Sequence, residues 1–326
     1  MNFEQLFRTQ GYVTQFLRNS YQKNRIVHSY LFEGAKGTNK LNAAYYFAMM
    51  ILCKEDDAPC LMCHDCMRIM KNVHPNVTVI EPLGEGIKKE QIETLQHDFY
   101  LTSLEANKRV YIINHVDKLT MSAANSLLKF LEEPNEHIFG ILITENLNSV
   151  IRTIISRTQV ISFEQLSKLK LVDGLTQKGI NKELAQILSG ITNDENEIIV
   201  MAQDEVTLNL IDLVKRIGIA FVLEEEHPLL LLHTEGKFLL EEKNKNFHQI
   251  FLDLLTLFFN DLMYYKLHIT DKVTFTDTMI HISGYIEKKL MDTITKIDKI
   301  MLYKQRLTYN VNIELLYAQM MSDLMR

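Results

Sequence analysis

Gly34-Ala35-Lys36-Gly37-Thr38-Asn39-Lys40-Leu41 is the stretch on which the reading of this chain turns. It keeps the outline of the phosphate-binding loop G-x-x-x-x-G-K-[ST], in which backbone N–H groups cradle phosphates, the lysine reaches the terminal ones and the hydroxyl holds Mg²⁺. Gly34 and Lys40 fit that outline. Asn39 stands at the second glycine and brings a side chain to where backbone must approach the phosphate, while Leu41 replaces the Ser/Thr and leaves the metal without its hydroxyl. The apolar run Ser29-Tyr30-Leu31-Phe32 before the octet and Leu41 to Leu52 after it supply the strand and helix the motif needs. Context predicts a P-loop fold, and the missing groups predict that ATP does not bind. On these eight residues alone, a Gly/Lys-rich turn matching half a motif by accident remains the alternative.

Working outward, the stretch that follows alternates as an α/β protein does. Val77 to Ile80 reads as a buried strand, Lys88 to Phe99 as a helix, Arg109 to Ile113 as a strand, Ser122 to Leu131 as a helix and Ile138 to Thr144 as a strand. Strands separated by helices imply a parallel sheet wound by right-handed crossovers. A working ATPase offers an acidic pair just after the strand that here ends at Ile113; this chain offers Asn114 and His115. The first carboxylate beyond them, Asp117, is expected to cap the turn before the next helix.

All four cysteines, Cys53, Cys60, Cys63 and Cys66, fall in one short segment, the last three as C-x-x-C-x-x-C. Four thiolates at such spacing can close a tetrahedral shell around Zn²⁺, and with no open position such a metal is structural. Two disulfides, an iron–sulfur cluster or free thiols are the other readings, the first disfavoured in a reducing compartment. His64, between two of the cysteines, reads as a bystander.

With 326 residues, two or three domains are expected, and 47% apolar with 23% charged residues excludes a disordered chain. There is neither a cleavable signal nor a run of about 18 uncharged apolar residues, since Asp253 interrupts the most apolar stretch, so the chain reads as cytoplasmic with no membrane contact. A net charge of −6 gives no global attraction to DNA, which makes any nucleic-acid contact local or shared with partners. A zinc-ribbon nucleic-acid binder is disfavoured on the same ground.

Ala124-Asn125-Ser126-Leu127-Leu128-Lys129-Phe130-Leu131-Glu132-Glu133-Pro134, then Ser156-Arg157-Thr158, closely resembles the clamp-loader subunits of the AAA+ superfamily. His28 to Gly34, the cysteine cluster after the loop helix and His74-Pro75-Asn76 extend the resemblance over the first half of the chain. The family's ATP-binding subunit, gamma or tau, has an intact loop and acidic pair; Asn39, Leu41, Asn114 and His115 instead point to an inactive member. The resemblance implies a hetero-pentamer with gamma/tau and delta subunits that loads a sliding clamp onto primed DNA in a nucleoid-associated replisome. It also implies that Arg157 projects to the γ-phosphate of ATP held by a neighbour, a role for which Arg152 is a competitor; the alternative is that Arg157 caps a helix or pairs with a surface carboxylate. Thr158 replaces the family's usual cysteine. A divergent ATP-hydrolysing gamma/tau-type subunit is the alternative.

Leu127, Leu128 and Leu131 follow a helical spacing that buries one face, Pro134 is expected to stop the helix at Glu133, and the adjacent carboxylates of Glu132 and Glu133 read as a solvated helix end. Beyond Phe163 the pattern turns helical, giving α/β followed by all-α. The expected domains are an AAA+-like, P-loop-type parallel-sheet domain over residues 1–163 with the inserted zinc module, a small helical lid over 164–208 and a helical collar over 209–326. In the collar, long helices are expected at Leu210 to Glu224, Phe247 to Leu267 and Tyr285 to Tyr303. An apolar stripe of this kind is more often its own core, but the resemblance, in which this region holds five subunits together, implies that some of the faces near Phe251, Leu255 and Phe258 meet partners.

Overall fold

The computed structural model describes residues 3–101, 108–132, 135–241, 244–288, 290–309 and 311–325. The chain divides into two compact units, residues 1–166 and 167–326. In the first, α1 (Phe3–Thr9) and α2 (Gly11–Gln22) lead to β1 (Ser29–Glu33), α3 (Lys40–Leu52), α4 (His64–Met70), β2 (Val77–Ile80) and α5 (Lys89–Leu101). There follow β3 (Arg109–Ile113), α6 (Met121–Glu132), β4 (Ile138–Thr144), α7 (Arg152–Ile155) and β5 (Gln159–Ser162). The five strands form one sheet in the order β2-β3-β4-β1-β5, every pair parallel.

Successive side chains of a strand point to opposite faces, and the sheet divides two cores accordingly. Tyr30, Phe32, Val110, Ile112, Ile141 and Ile143 pack with α2 and α3 on one side. Leu31, Tyr111, Ile113 and Leu142 pack with Ile92 and Leu95 of α5 and Leu127 and Phe130 of α6 on the other. Close approach across the sheet depends on Gly140, which pairs with Tyr111: a β-carbon there would overlap the Tyr111 hydroxyl and ring. Every residue of α3 from Ala43 to Leu52 is buried, so this helix is apolar around its whole circumference. In this unit the strands and helices expected from the sequence stand where expected to within about two residues, with one correction: β2 is only half-buried along most of its length, because it is an edge strand. The other edge, β5, was not anticipated; with Val160 and Ile161 its only apolar residues, it carries little pattern to read. Glu133 and Pro134, where the helix stop was expected, lie outside the described residues.

The second unit is all-helical. The short α8 (Lys168–Gln177), α9 (Lys182–Leu188) and α10 (Glu195–Met201) pack on one another, followed by α11 (Glu205–Leu223), α12 (Pro228–Thr234), α13 (Lys237–Glu241) and α14 (Lys245–Lys266). Then come α15 (Thr276–Ile282), α16 (Leu290–Arg306) and α17 (Ile313–Met325), with α14 packed against α11 and α16. Glu183 of α9 accepts from Lys215 Nζ of α11 at 2.7 Å and from the Asp277 N–H at 3.0 Å. The helix expected from Tyr285 begins instead as a 3₁₀ turn, Ser283–Lys288, whose Ser-Gly start has poor helix propensity. The apolar faces expected to meet partners are corrected: Phe251, Leu255 and Phe258 are fully buried in this unit's own core, with Phe251 against Tyr317 and Phe258 against Phe259 and Phe275. No described helix is long and apolar enough to cross a membrane.

Candidate functional site

The loop between β1 and α3 has the backbone its motif implies. Gly34 takes φ +152°, with the Phe163 carbonyl 2.5 Å from where a β-carbon would stand. Asn39 takes the left-handed conformation (φ 63°, ψ 22°) that a glycine would fill without strain. Its amide donates to the Thr9 hydroxyl at 3.3 Å, which ties the start of α3 to the end of α1. Thr9 was not read from the sequence, and no local pattern marks it.

Lys40 turns inward. Its ammonium donates to the carbonyls of Gly34 at 2.6 Å and Ala35 at 2.7 Å and to the Thr38 hydroxyl at 3.2 Å. An ammonium has three donors, and these three acceptors use them all. The side chain is only 6% exposed. Burial lowers its pKa, while the carboxylates of Glu145, Glu33 and Asp117 oppose that shift. At the end of β3, Asn114 donates to Glu81 Oε1 at 3.4 Å and His115 takes a left-handed conformation, φ 60°. Asp117 lies within the 3₁₀ turn before α6 rather than capping it, and accepts from the Thr144 hydroxyl at 2.8 Å, because the end of β4 brings that hydroxyl to it.

The four cysteines converge. Cys53 follows the last turn of α3, its N–H on the Met49 carbonyl at 2.8 Å, and Cys63 caps α4, which carries Cys66. The four sulfurs lie within 4.8 Å of one another, and Cys53 Sγ to Cys63 Sγ is 3.9 Å. Zinc–thiolate bonds of about 2.3 Å in a tetrahedron put sulfurs about 3.8 Å apart, so the donor set fits such an ion, whereas a disulfide needs about 2.05 Å. The Cys63 N–H points at Cys60 Sγ (3.2 Å) and the Cys66 N–H at Cys63 Sγ (3.5 Å). Backbone N–H groups of Met62 and Cys63 pull the Cys60 thiol down to about 7, whereas burial pushes Cys53 and Cys66 up. His64, 80% exposed at its side chain, is not part of the cluster.

Arg157 follows α7 and is half-exposed. It pairs with Glu132 Oε1 at 2.7 Å and donates to the Thr153 carbonyl at 3.0 Å. A surface carboxylate was the alternative partner expected for Arg157; that it is Glu132 was not read from the sequence, although both residues lie in the motifs quoted above. Arg152 is exposed at the start of α7.

A parallel β2-β3-β4-β1-β5 sheet with a phosphate-type loop after β1, an interior strand between β4 and β5, followed by a helical unit, is the AAA+ P-loop-type architecture. Residues 9–167 match the family model described as DNA polymerase III, delta subunit. Subunit delta′ of DNA polymerase III from Bacillus subtilis (strain 168) is 34% identical over 316 residues, which cover 96% of this chain and 95% of that one. Subunit tau of the same organism is 30% identical over 245 residues, 73% of this chain and 42% of that longer one. A solved structure of a gamma-subunit-related protein from Thermotoga maritima superimposes with a TM-score of 0.44 and 17% identity, covering 95% of this chain and 98% of that one. The chain belongs to the delta′ subunit family of DNA polymerase III.

Proposed function

We propose that this chain is the non-hydrolysing delta′ subunit of a clamp loader. It assembles with gamma/tau and delta subunits into a hetero-pentamer that loads the sliding clamp onto primed DNA, and it works in the cytoplasm at the replisome. Residues 1–163 form its AAA+-like domain, 164–208 its lid and 209–326 its collar; α11 starts at Glu205, so the lid boundary falls in its first turn. Cys53, Cys60, Cys63 and Cys66 hold a structural Zn²⁺, which closes the chain between α3 and β2 and supplies no chemistry to a reaction.

The observation that carries the reading is the state of Lys40: the group that would bind phosphate spends all three donors on its own loop, beside a leucine where the metal-binding hydroxyl belongs. ATP chemistry is then a neighbour's, and Arg157 is this chain's contribution to it. Leaving Glu132 for the γ-phosphate of ATP on the next subunit exchanges a half-exposed ion pair, worth under about 1 kcal/mol, for a contact with developing phosphoryl charge. Arginine fingers accelerate such transfers by about 10³ to 10⁵.

The rival reading, a divergent ATP-hydrolysing gamma/tau-type subunit, has one observation in its favour: Asn39 does take the glycine-like conformation that nucleotide binding would ask of it. Calorimetric titration of the isolated chain with Mg-ATP decides between them. No heat of binding up to about millimolar nucleotide is the expected result; a Kd of about micromolar, some 8 kcal/mol of binding, would promote the rival.

A further inference from the structure

The four sulfurs come from three places: Cys53 from the end of α3, Cys60 from the loop, and Cys63 and Cys66 from the first turn of α4. α3 is fixed by the core on all sides. The α4 turn has no such enclosure, since Met62 is 84% and Met67 41% exposed on its outer side. Something must hold that turn against α3 for four ligands to meet at one point.

Asp65 stands in that turn between the two cysteines, and its Oδ1 lies 3.3 Å from His74 Nε2. The Asn76 N–H donates to His74 Nδ1 at 3.1 Å, so Nδ1 is the unprotonated nitrogen and Nε2–H is the donor to Asp65. His74 is itself 8% exposed and seated on the sheet: its carbonyl accepts the Val77 N–H at 3.1 Å, and the Asn76 carbonyl accepts the Val110 N–H at 2.9 Å. One imidazole therefore joins the turn bearing two thiolates to the start of the β2–β3 ladder.

We propose that His74 is a positioning residue for the four-cysteine metal centre, acting through Asp65 to hold the turn that presents Cys63 and Cys66. The inference rests on the metal reading above and extends it to two residues outside the ligand set. Groups that orient metal ligands from outside the coordination shell typically change metal affinity about 10- to 100-fold.

The test uses the full chain loaded with zinc, its release followed with a chromogenic chelator. His74→Asn keeps an acceptor near Nδ1 for the Asn76 N–H but cannot reach Asp65, and release is expected to quicken about ten-fold. Asp65→Ala is expected to do the same, and the double variant no more than either alone. His74→Gln, whose amide reaches toward the Nε2 position, is expected to recover most of the loss. Release from His74→Asn at the wild-type rate, or multiplicative effects in the double variant, would overturn the inference. So would an equal drop in melting temperature of metal-free and metal-loaded His74→Asn with release unchanged, the mark of a merely structural histidine. Wild-type chain unable to take up zinc would instead overturn the metal reading, and this inference with it.

Discussion

Asp261 offers the sharpest test of the second unit. Its side chain is 1% exposed in α14, and Oδ2 accepts from the Thr274 N–H at 2.8 Å, the Thr274 hydroxyl at 2.7 Å and the Phe275 N–H at 2.7 Å, bracing the segment that enters α15. These bonds favour the carboxylate and burial favours the acid; burial wins, and the pKa rises from 3.8 to about 6. Between those values the folded chain holds a proton that the unfolded chain has released, so folding takes up a proton and stability falls as pH rises. This contribution is full below about pH 4 and lost above about pH 6; roughly two pH units at about 1.4 kcal/mol each make it about 3 kcal/mol. Asp261→Asn cannot titrate. Its carbonyl can still accept, and the misplaced amide N–H adds a cost independent of pH. The stability of the variant relative to wild type should therefore climb by about 3 kcal/mol between about pH 4 and about pH 7, whatever its offset. Urea unfolding of both full-length chains, with hydrogen exchange in α14 reporting on the second unit alone, measures that difference. A profile flat to within about 0.5 kcal/mol, or one falling with pH, would refute the assignment of burial as the dominant force on this carboxyl.

Arg157→Ala should leave the melting temperature of the isolated chain nearly unchanged, because its pair with Glu132 is half-exposed and worth under about 1 kcal/mol. The clamp-stimulated ATPase of the reconstituted complex should fall, and unaltered turnover would remove the finger. Gly140→Ala forces the new methyl into Tyr111 on the neighbouring strand, an overpacking expected to cost about 1 to 3 kcal/mol in urea unfolding of the first unit. Wild-type stability would mean that the ring moves aside freely.

The sheet of the first unit was legible because its strands are short apolar runs between helices of clear period, and because Gly34 and Lys40 keep the loop's spacing. β5 escaped, since two apolar residues at an edge make no pattern. The cysteines announced their own convergence: four ligands in one segment need no long-range information. What stayed hidden was pairwise. Thr9 with Asn39, His74 with Asp65 and Arg157 with Glu132 join residues 9 to 30 positions apart in sequence, and which donor meets which acceptor depends on how elements stack. In the helical unit, the apolar stripes near Phe251 and Phe258 were visible as stripes, but periodicity does not say whether a stripe faces its own core or another chain; here it faces its own core.

The thirteen residues of α3 make a rod about 20 Å long, with the phosphate-type loop at one end and the first cysteine just past the other. A cylinder gripped on every side can neither slide nor roll, so the loop at its end is held in shape by the core: each change of shape there would lever against the hydrophobic interior. The outline of the motif is thus also a foundation for the building above it, whether or not a nucleotide binds there.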